Sequence, residues 1–252
     1  MTYDLHVLVQ GYPGKNIDHG GLGWSTVALL RGAKDNVLLD TGHYVHREVV
    51  VKRLGELGVT RDDVTAIAIS HLHWDHCMNF PLFPKAQIFV GRTELEWAAQ
   101  QPVGAFPIAE LHVEKLLRDP AVTRIDDGDA FFPGLTAMST PGHTPGHMAY
   151  VAKGKRGEYL YTGDAIKNGA ELCSQRVDMT LDLQRSLDAI RRVRERAAAN
   201  PDNVVVFGHD RCCGFDGTHV HEREPLRASL SARLSEDFEE VTTFDLTRRG
   251  VI

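Results

Sequence analysis

Cysteine is scarce, with four in 252 residues at positions 77, 173, 212 and 213. Their spacing builds no disulfide framework, and the adjacent Cys212 and Cys213 are poor partners for an ordinary bridge. A cross-linked secreted scaffold is therefore excluded, and a reducing cytoplasm is the expected compartment. No stretch of about 18 consecutive apolar residues occurs, so no membrane-spanning helix is expected. The opening Met-Thr-Tyr-Asp-Leu-His lacks the basic-then-apolar pattern of an export signal. Nor is positive charge in excess: 28 Lys and Arg face 34 Asp and Glu, a net −6. Proteins that neutralise phosphate backbones gather cations. Here the densest cluster, Arg191-Arg192-Val193-Arg194, is expected to be a solvated helix face, which disfavours a nucleic-acid partner. Internal repeats and low-complexity tracts are also missing. The length suffices for a large core, and one domain over residues 1–252 is expected.

Histidine is what the chain has. The apolar, partly β-branched run Val64–Ser70 predicts a buried strand, and it hands over directly to His71-Leu-His73-Trp-Asp75-His76. His71 and His73 are two apart, so an extended segment points both to one side. Asp75 and His76 follow where the chain turns, aimed at a neighbouring point. Imidazole nitrogen and carboxylate oxygen are good donors for Zn²⁺, and a site with three protein ligands keeps a position open for chemistry. The plain alternative is a solvated loop whose histidines are incidental. Further on come Thr140-Pro-Gly-His143-Thr-Pro-Gly-His147, Thr162-Gly-Asp164 and Phe207-Gly-His209-Asp210, which complete a set.

Taken together, H-x-H-x-D-H at 71–76, T-P-G-H-T-P-G-H at 140–147, T-G-D at 162–164 and F-G-H-D at 207–210 resemble the metallo-β-lactamase-fold hydrolases over roughly residues 20–215. The resemblance implies an α/β fold, the four-layered αβ/βα sandwich. It implies two Zn²⁺ per chain, one held by His71, His73 and His143, the other by Asp75, His76 and His209, with Asp164 bridging. Flavodiiron relatives carry a glutamate where this chain has His73, which disfavours iron. The implied reaction is metal-hydroxide attack on an ester-type carbonyl, with Asp75 and Asp164 catalytic as well as ligating.

The substrate is a small molecule whose class stays open. F-G-H-D and the lack of a long C-terminal substrate domain resemble N-acyl-homoserine lactonases. In those enzymes a tyrosine stands three residues beyond the bridging aspartate, where this chain has Lys167. That lysine can supply a cation near the reacting oxygen or bind a substrate carboxylate; the plain alternative is a surface lysine. The T-P-G-H-T-P-G-H stretch also resembles glyoxalase II thioesterases, although their basic C-terminal helices are not evident. A nuclease is resembled only through the metal motif. Nothing in the sequence sets a number of subunits.

Away from the ligands, Asp40 is expected either to orient the His71 region or simply to form a turn with Thr41-Gly42. His147 is expected to be a hydrogen-bonded structural histidine. Cys77 is expected to fill the core, with a role behind the ligands as the alternative. His43, His46, His112, His219 and His221 are expected on the surface or behind the ligands. Residues 12–24, including His19, and 97–111 are candidate loops beside the metals. Tyr12, Trp24, Trp97 and Phe106 are candidates for an apolar pocket wall, with core packing the alternative for each. A hairpin is expected over Thr26–Leu30 and Asn36–Asp40, and helices on the stripes Val45, Val49, Leu54, Leu57 and Leu183, Leu187, Ile190, Val193. Strands are expected at Gln87–Val90, Leu135–Ser139, Met148–Ala152, Tyr159–Tyr161 and Val204–Phe207, with a helix at Thr93–Gln100. A last helix is expected on Leu226, Leu230, Leu234 and Phe238.

Overall fold

The computed structural model describes residues 1–16 and 20–248. Its first half contains strands β1 (Asp4–Val9), β2 (Lys15–Asn16), β3 (Gly20–Gly21), β4 (Val27–Arg31) and β5 (Asn36–Leu39). Helix α1 (Arg47–Glu56), β6 (Ala66–Ile69), the single turn α2 (Trp74–Cys77) and β7 (Gln87–Gly91) follow. Then come α3 (Arg92–Ala98), α4 (Glu110–Arg118) and β8 (Val122–Ile125). The second half adds β9 (Leu135–Ser139), β10 (Met148–Lys153), β11 (Glu158–Gly163), α5 (Gly169–Ser174) and α6 (Leu183–Ala198). It closes with β12 (Val204–Phe207), β13 (Cys213–Phe215), β14 (Val220–Glu222), β15 (Ser229–Ala232) and β16 (Thr242–Asp245).

Two six-stranded mixed sheets form, in the orders β1-β4-β5-β6-β7-β8 and β14-β13-β12-β11-β10-β9. Period-two alternation decides which apolar layer each side chain enters. Ile67 and Ile69 of β6 join Leu29, Val50, Leu54, Leu95 and Val113 in a layer between the first sheet and α1, α3 and α4. Ala66 and Ala68 of the same strand face the other way, meeting Leu30, Leu39, Tyr150, Tyr161 and Val206 between the two sheets. Val151, Leu160, Val205 and Phe207 form a third layer with Ile190, Val193 and Ala197 of α6. Three apolar layers separate four structural ones, as the αβ/βα reading requires.

The expected hairpin and strands form, and α1 ends at Leu57 with Gly58 in the left-handed region (φ +70°). Two stripes hold in part: Val49, Leu54 and Leu57 of the first and Ile190 and Val193 of the second pack on core layers. In α1 the core residues are Val50 and Leu54, while Val45 precedes the helix and is 69% exposed. In α6, capped by Asp182 accepting the Arg185 amide at 3.1 Å, Ser186, Ala189, Ile190 and Val193 face inward and Leu183 is exposed.

Two expectations fail. The segment with Leu226, Leu230, Leu234 and Phe238 is the hairpin β15–β16, not a helix. Ser229-Leu-Ser-Ala232 alternates with period two and pairs with the β-branched Thr242 and Thr243, whereas the helical stripe has no core to face. Arg191-Arg192-Val193-Arg194 is not a wholly solvated face either. Arg192 binds Asp127 and the Ser139 carbonyl, and Arg194 donates to the carbonyls of Leu172 and Gly217 while lying over the Phe215 ring.

Candidate metal centre

All seven predicted ligands converge where chain leaves the strand ends of both sheets. The turn after β6 brings His71, His73, Asp75 and His76; the loop between β9 and β10 brings His143; the end of β11 brings Asp164; the end of β12 brings His209. The donor atoms fall into three overlapping groups, each with its atoms within 4.8 Å of one another: His71, His73 and His143; His71, His76 and Asp164; Asp75, His76 and His209. Asp164 stands between them. Its Oδ2 lies 3.3 Å from His143 Nε2, while Oδ1 lies 3.2 Å from His76 Nε2 and 3.1 Å from His209 Nε2. Asp75 Oδ2 is 3.5 Å from both His76 Nε2 and His209 Nε2.

The outer nitrogens of three of the imidazoles are held by partners, and His143 Nε2 lies 3.0 Å from His73 Nδ1. His76 Nδ1 pairs with Asp40 Oδ2 at 2.7 Å, His71 Nδ1 meets Ser70 Oγ at 3.0 Å, and His143 Nδ1 meets the Met179 carbonyl at 2.9 Å. His71 Nε2, His76 Nε2 and Asp164 Oδ1 are buried and lack a hydrogen-bond partner. Orphaned buried polar atoms are rare; three of them aimed at one point fit a cation. The electrostatics agree. Burial pulls His71 and His73 well below the usual imidazole range, so both are neutral donors. Burial also opposes charge on His76, but Asp75, Asp164 and Asp40 outweigh it and hold that imidazole well above its usual range. Against the same opposing burial, His209, His76 and His143 hold Asp164 well below the usual carboxylate range. The space between the carboxylates thus stabilises positive charge.

Asp40 takes the orienting role and forms no turn with Thr41-Gly42, whose amides bond across to the His76 carbonyl. It sits in the left-handed region at φ +53°, and its carboxylate accepts from Ser70 N (2.6 Å), Ser70 Oγ (2.6 Å), His76 Nδ1 and Tyr161 OH (2.8 Å). His147 is structural, bonded to Thr140 Oγ1 (2.9 Å) and accepting the Asp164 amide at Nε2 (3.0 Å). Cys77 fills the core, and all four thiols are free. Gly208 is demanded by close approach: a Cβ there would lie 2.5 Å from Asp164 Oδ1.

A cavity of about 180 Å³ opens onto the ligands, and its walls include Pro13, Trp74, Phe106, Pro107, Lys167, Asn168 and Met179. Lys167 is not a surface lysine. It is 9% exposed, its Nζ lies 2.9 Å from Glu171 Oε1, and its carbonyl accepts the His209 amide at 2.8 Å. Glu171 also accepts the amides of Lys167 (2.7 Å) and Asp178 (3.0 Å). Of the four predicted wall aromatics only Phe106 lines the cavity. Tyr12 and Trp24 pair with each other at 5.0 Å, and Trp97 packs on the first apolar layer. His19 lies outside the described residues. Trp74 was missed because it reads as a spacer in the ligand motif, yet the Trp74 amide donates to the Pro107 carbonyl at 3.0 Å and ties the Phe106 loop to that motif. Among the extra histidines, His43 meets Trp74 edge to face at 4.6 Å, His46 is buried, His112 meets the Met78 carbonyl, and His221 pairs with Asp216 on the surface.

A sequence model of the metallo-β-lactamase superfamily matches residues 20–209. The chain belongs to the metallo-β-lactamase superfamily. It is similar to the N-acyl homoserine lactonase AiiA of Bacillus thuringiensis subsp. kurstaki, 29% identical over 167 residues, 64% of this chain and 62% of that protein. It is likewise similar to the N-acyl homoserine lactonase AttM of Azorhizobium caulinodans, 31% identical over 176 residues, 65% of this chain and 64% of that one. The match thus spans less than two thirds of these lactonases. The crystal structure of a B. thuringiensis AiiA variant with N-decanoyl-L-homoserine at its active site superposes with a TM-score of 0.67. That superposition covers 83% of this chain and 94% of the other at 24% identity, a likeness of fold. No helix among the described residues is long and apolar enough to cross a membrane.

Proposed function

We propose that this superfamily member is a metal-dependent hydrolase that opens a lactone, acting as one domain over residues 1–252 with two zinc ions. The observation that carries this reading is Asp164, whose two carboxylate oxygens face two different sets of inward imidazole nitrogens at the floor of an open cavity. His71, His73 and His143 would hold one cation, Asp75, His76 and His209 the other, and Asp164 both. Two such cations, when bound, make water acidic near neutral pH and polarise a carbonyl.

The chain's own groups complete the reaction. Asp75, the most open of the ligands at 15% side-chain exposure, takes the proton of the attacking water. It returns that proton to the ring oxygen as the acyl carbon–oxygen bond breaks, leaving a hydroxy acid. Trp74, Phe106 and Pro107 wall the cavity and exclude water around the substrate. Lys167 lines the cavity with Asp164 where the resembled lactonases have tyrosine, and its ammonium, paired with Glu171, would supply the cation for the reacting oxygen. The lactonase relatives support the substrate class, and the free thiols support a cytoplasmic location.

The test is a kinetic panel of N-acyl homoserine lactones, a glutathione thioester and phosphodiesters with zinc-loaded protein. Lactones should turn over, and Lys167→Ala should lower kcat on the order of 10²–10³-fold, as for a removed oxyanion donor. Turnover of the thioester alone would move the substrate class to the glyoxalase II type. Phosphodiester turnover alone would overturn ester hydrolysis.

A further inference from the structure

Glu94 lies in the first turn of α3, fully buried, and the reaction above leaves it idle. Its carboxylate reaches two loops that carry ligands. Oε1 accepts the Leu72 amide at 2.9 Å, between His71 and His73. Oε2 accepts the Thr144 hydroxyl at 2.6 Å, next to His143. A Cβ on Gly146 would lie 2.0 Å from the Glu94 nitrogen, so this loop is pressed onto the helix. A buried carboxylate is costly unless its bonds are made. Here both bonds go to residues flanking one ligand set. His76, by contrast, hangs from Asp40, and His209 from the Lys167 carbonyl.

We propose that Glu94 is a positioning residue that sets the metal affinity of the His71–His73–His143 site and leaves the Asp75–His76–His209 site unchanged. The proposal rests on the two-cation reading.

The test is chelator competition on zinc-loaded Glu94→Gln, counting zinc per chain at graded chelator. Glutamine keeps the shape but removes the charge and replaces one accepting oxygen with a donor, so the Thr144 hydroxyl must reverse and both loops are held by weaker, neutral bonds. One of the two zinc ions should bind 10–100-fold more weakly, the range for residues supporting ligands. In a His209→Ala background the substitution should weaken the remaining zinc by that factor; in a His143→Ala background it should add nothing. Thr144→Val, which removes a single donor, should shift the same site by a smaller factor and carries the test if Glu94→Gln does not fold. Leu95→Ala, one residue along the helix, should lower the melting temperature and leave both affinities unchanged. Equal weakening in the two backgrounds, or wild-type affinity in both Glu94→Gln and Thr144→Val, would overturn the proposal alone. Wild-type protein that binds no zinc would overturn it together with the metal reading.

Discussion

Replacing Asp40 with alanine removes the acceptor for four buried hydrogen bonds, and the neighbours decide how many donors are stranded. The Tyr161 hydroxyl already reaches the Thr26 carbonyl at 2.8 Å, but the Ser70 hydroxyl cannot turn to His71 Nδ1, 3.0 Å away, because that nitrogen carries the proton when Nε2 is the inward donor. That leaves the Ser70 amide, the Ser70 hydroxyl and His76 Nδ1 without partners. At about 1–3 kcal/mol for each stranded buried donor, the loss is roughly 3–9 kcal/mol. Alanine at φ +53° adds strain that aspartate and asparagine bear better. A loss of this size is a large share of the ~5–15 kcal/mol that stabilises a folded domain. Asp40→Asn keeps one accepting oxygen and tolerates the backbone, so it should lose less than Asp40→Ala. Urea denaturation of the three proteins at equal zinc is the assay. An Asp40→Ala midpoint corresponding to less than about 1 kcal/mol would refute the reasoning, because the stranded donors would then have found partners the geometry does not show.

Two further outcomes follow from the same geometry. Burial pulls the His46 imidazole from its usual 6.5 down to about 4, so the folded chain keeps it neutral while the unfolded chain takes up the proton first. Its contribution to stability is whole above pH 6.5 and is lost as pH falls from there toward 4, about 3 kcal/mol in all. His46→Gln should flatten the urea midpoint across that window, and an unchanged slope would contradict this. Stripping with a chelator should lower the melting temperature as well: two sites filled at a hundred times their Kd contribute roughly 5 kcal/mol, or on the order of 10–20 °C at this chain length. An unaltered melting curve would count against metal in the site.

The convergence of the candidate ligands was legible because catalysis asks for fixed residue types at short spacing after a strand. His71, His73, Asp75 and His76 sit within six residues, and the other three each end a strand or glycine loop. The layers were legible for a similar reason, since Ala66-Ile-Ala-Ile69 alternates between two cores. The supports were harder to see. Glu94 looks like any acidic residue in a helix first turn, and only the approach of two distant loops makes it a partner. Lys167 reads as a surface residue until Glu171, one helical turn on, covers its ammonium. The β15–β16 hairpin was misread because Leu226, Leu230, Leu234 and Phe238 fall at helical spacing by chance, and Leu230, Leu234 and Phe238 are exposed.

The central claim is that seven side chains from both sheets form one two-metal centre bridged by Asp164. Elemental analysis of protein purified without chelator tests it most directly. Two zinc equivalents per chain are predicted, falling to one or fewer in Asp164→Ala. No bound metal, a single iron in active protein, or two retained equivalents in Asp164→Ala would contradict it.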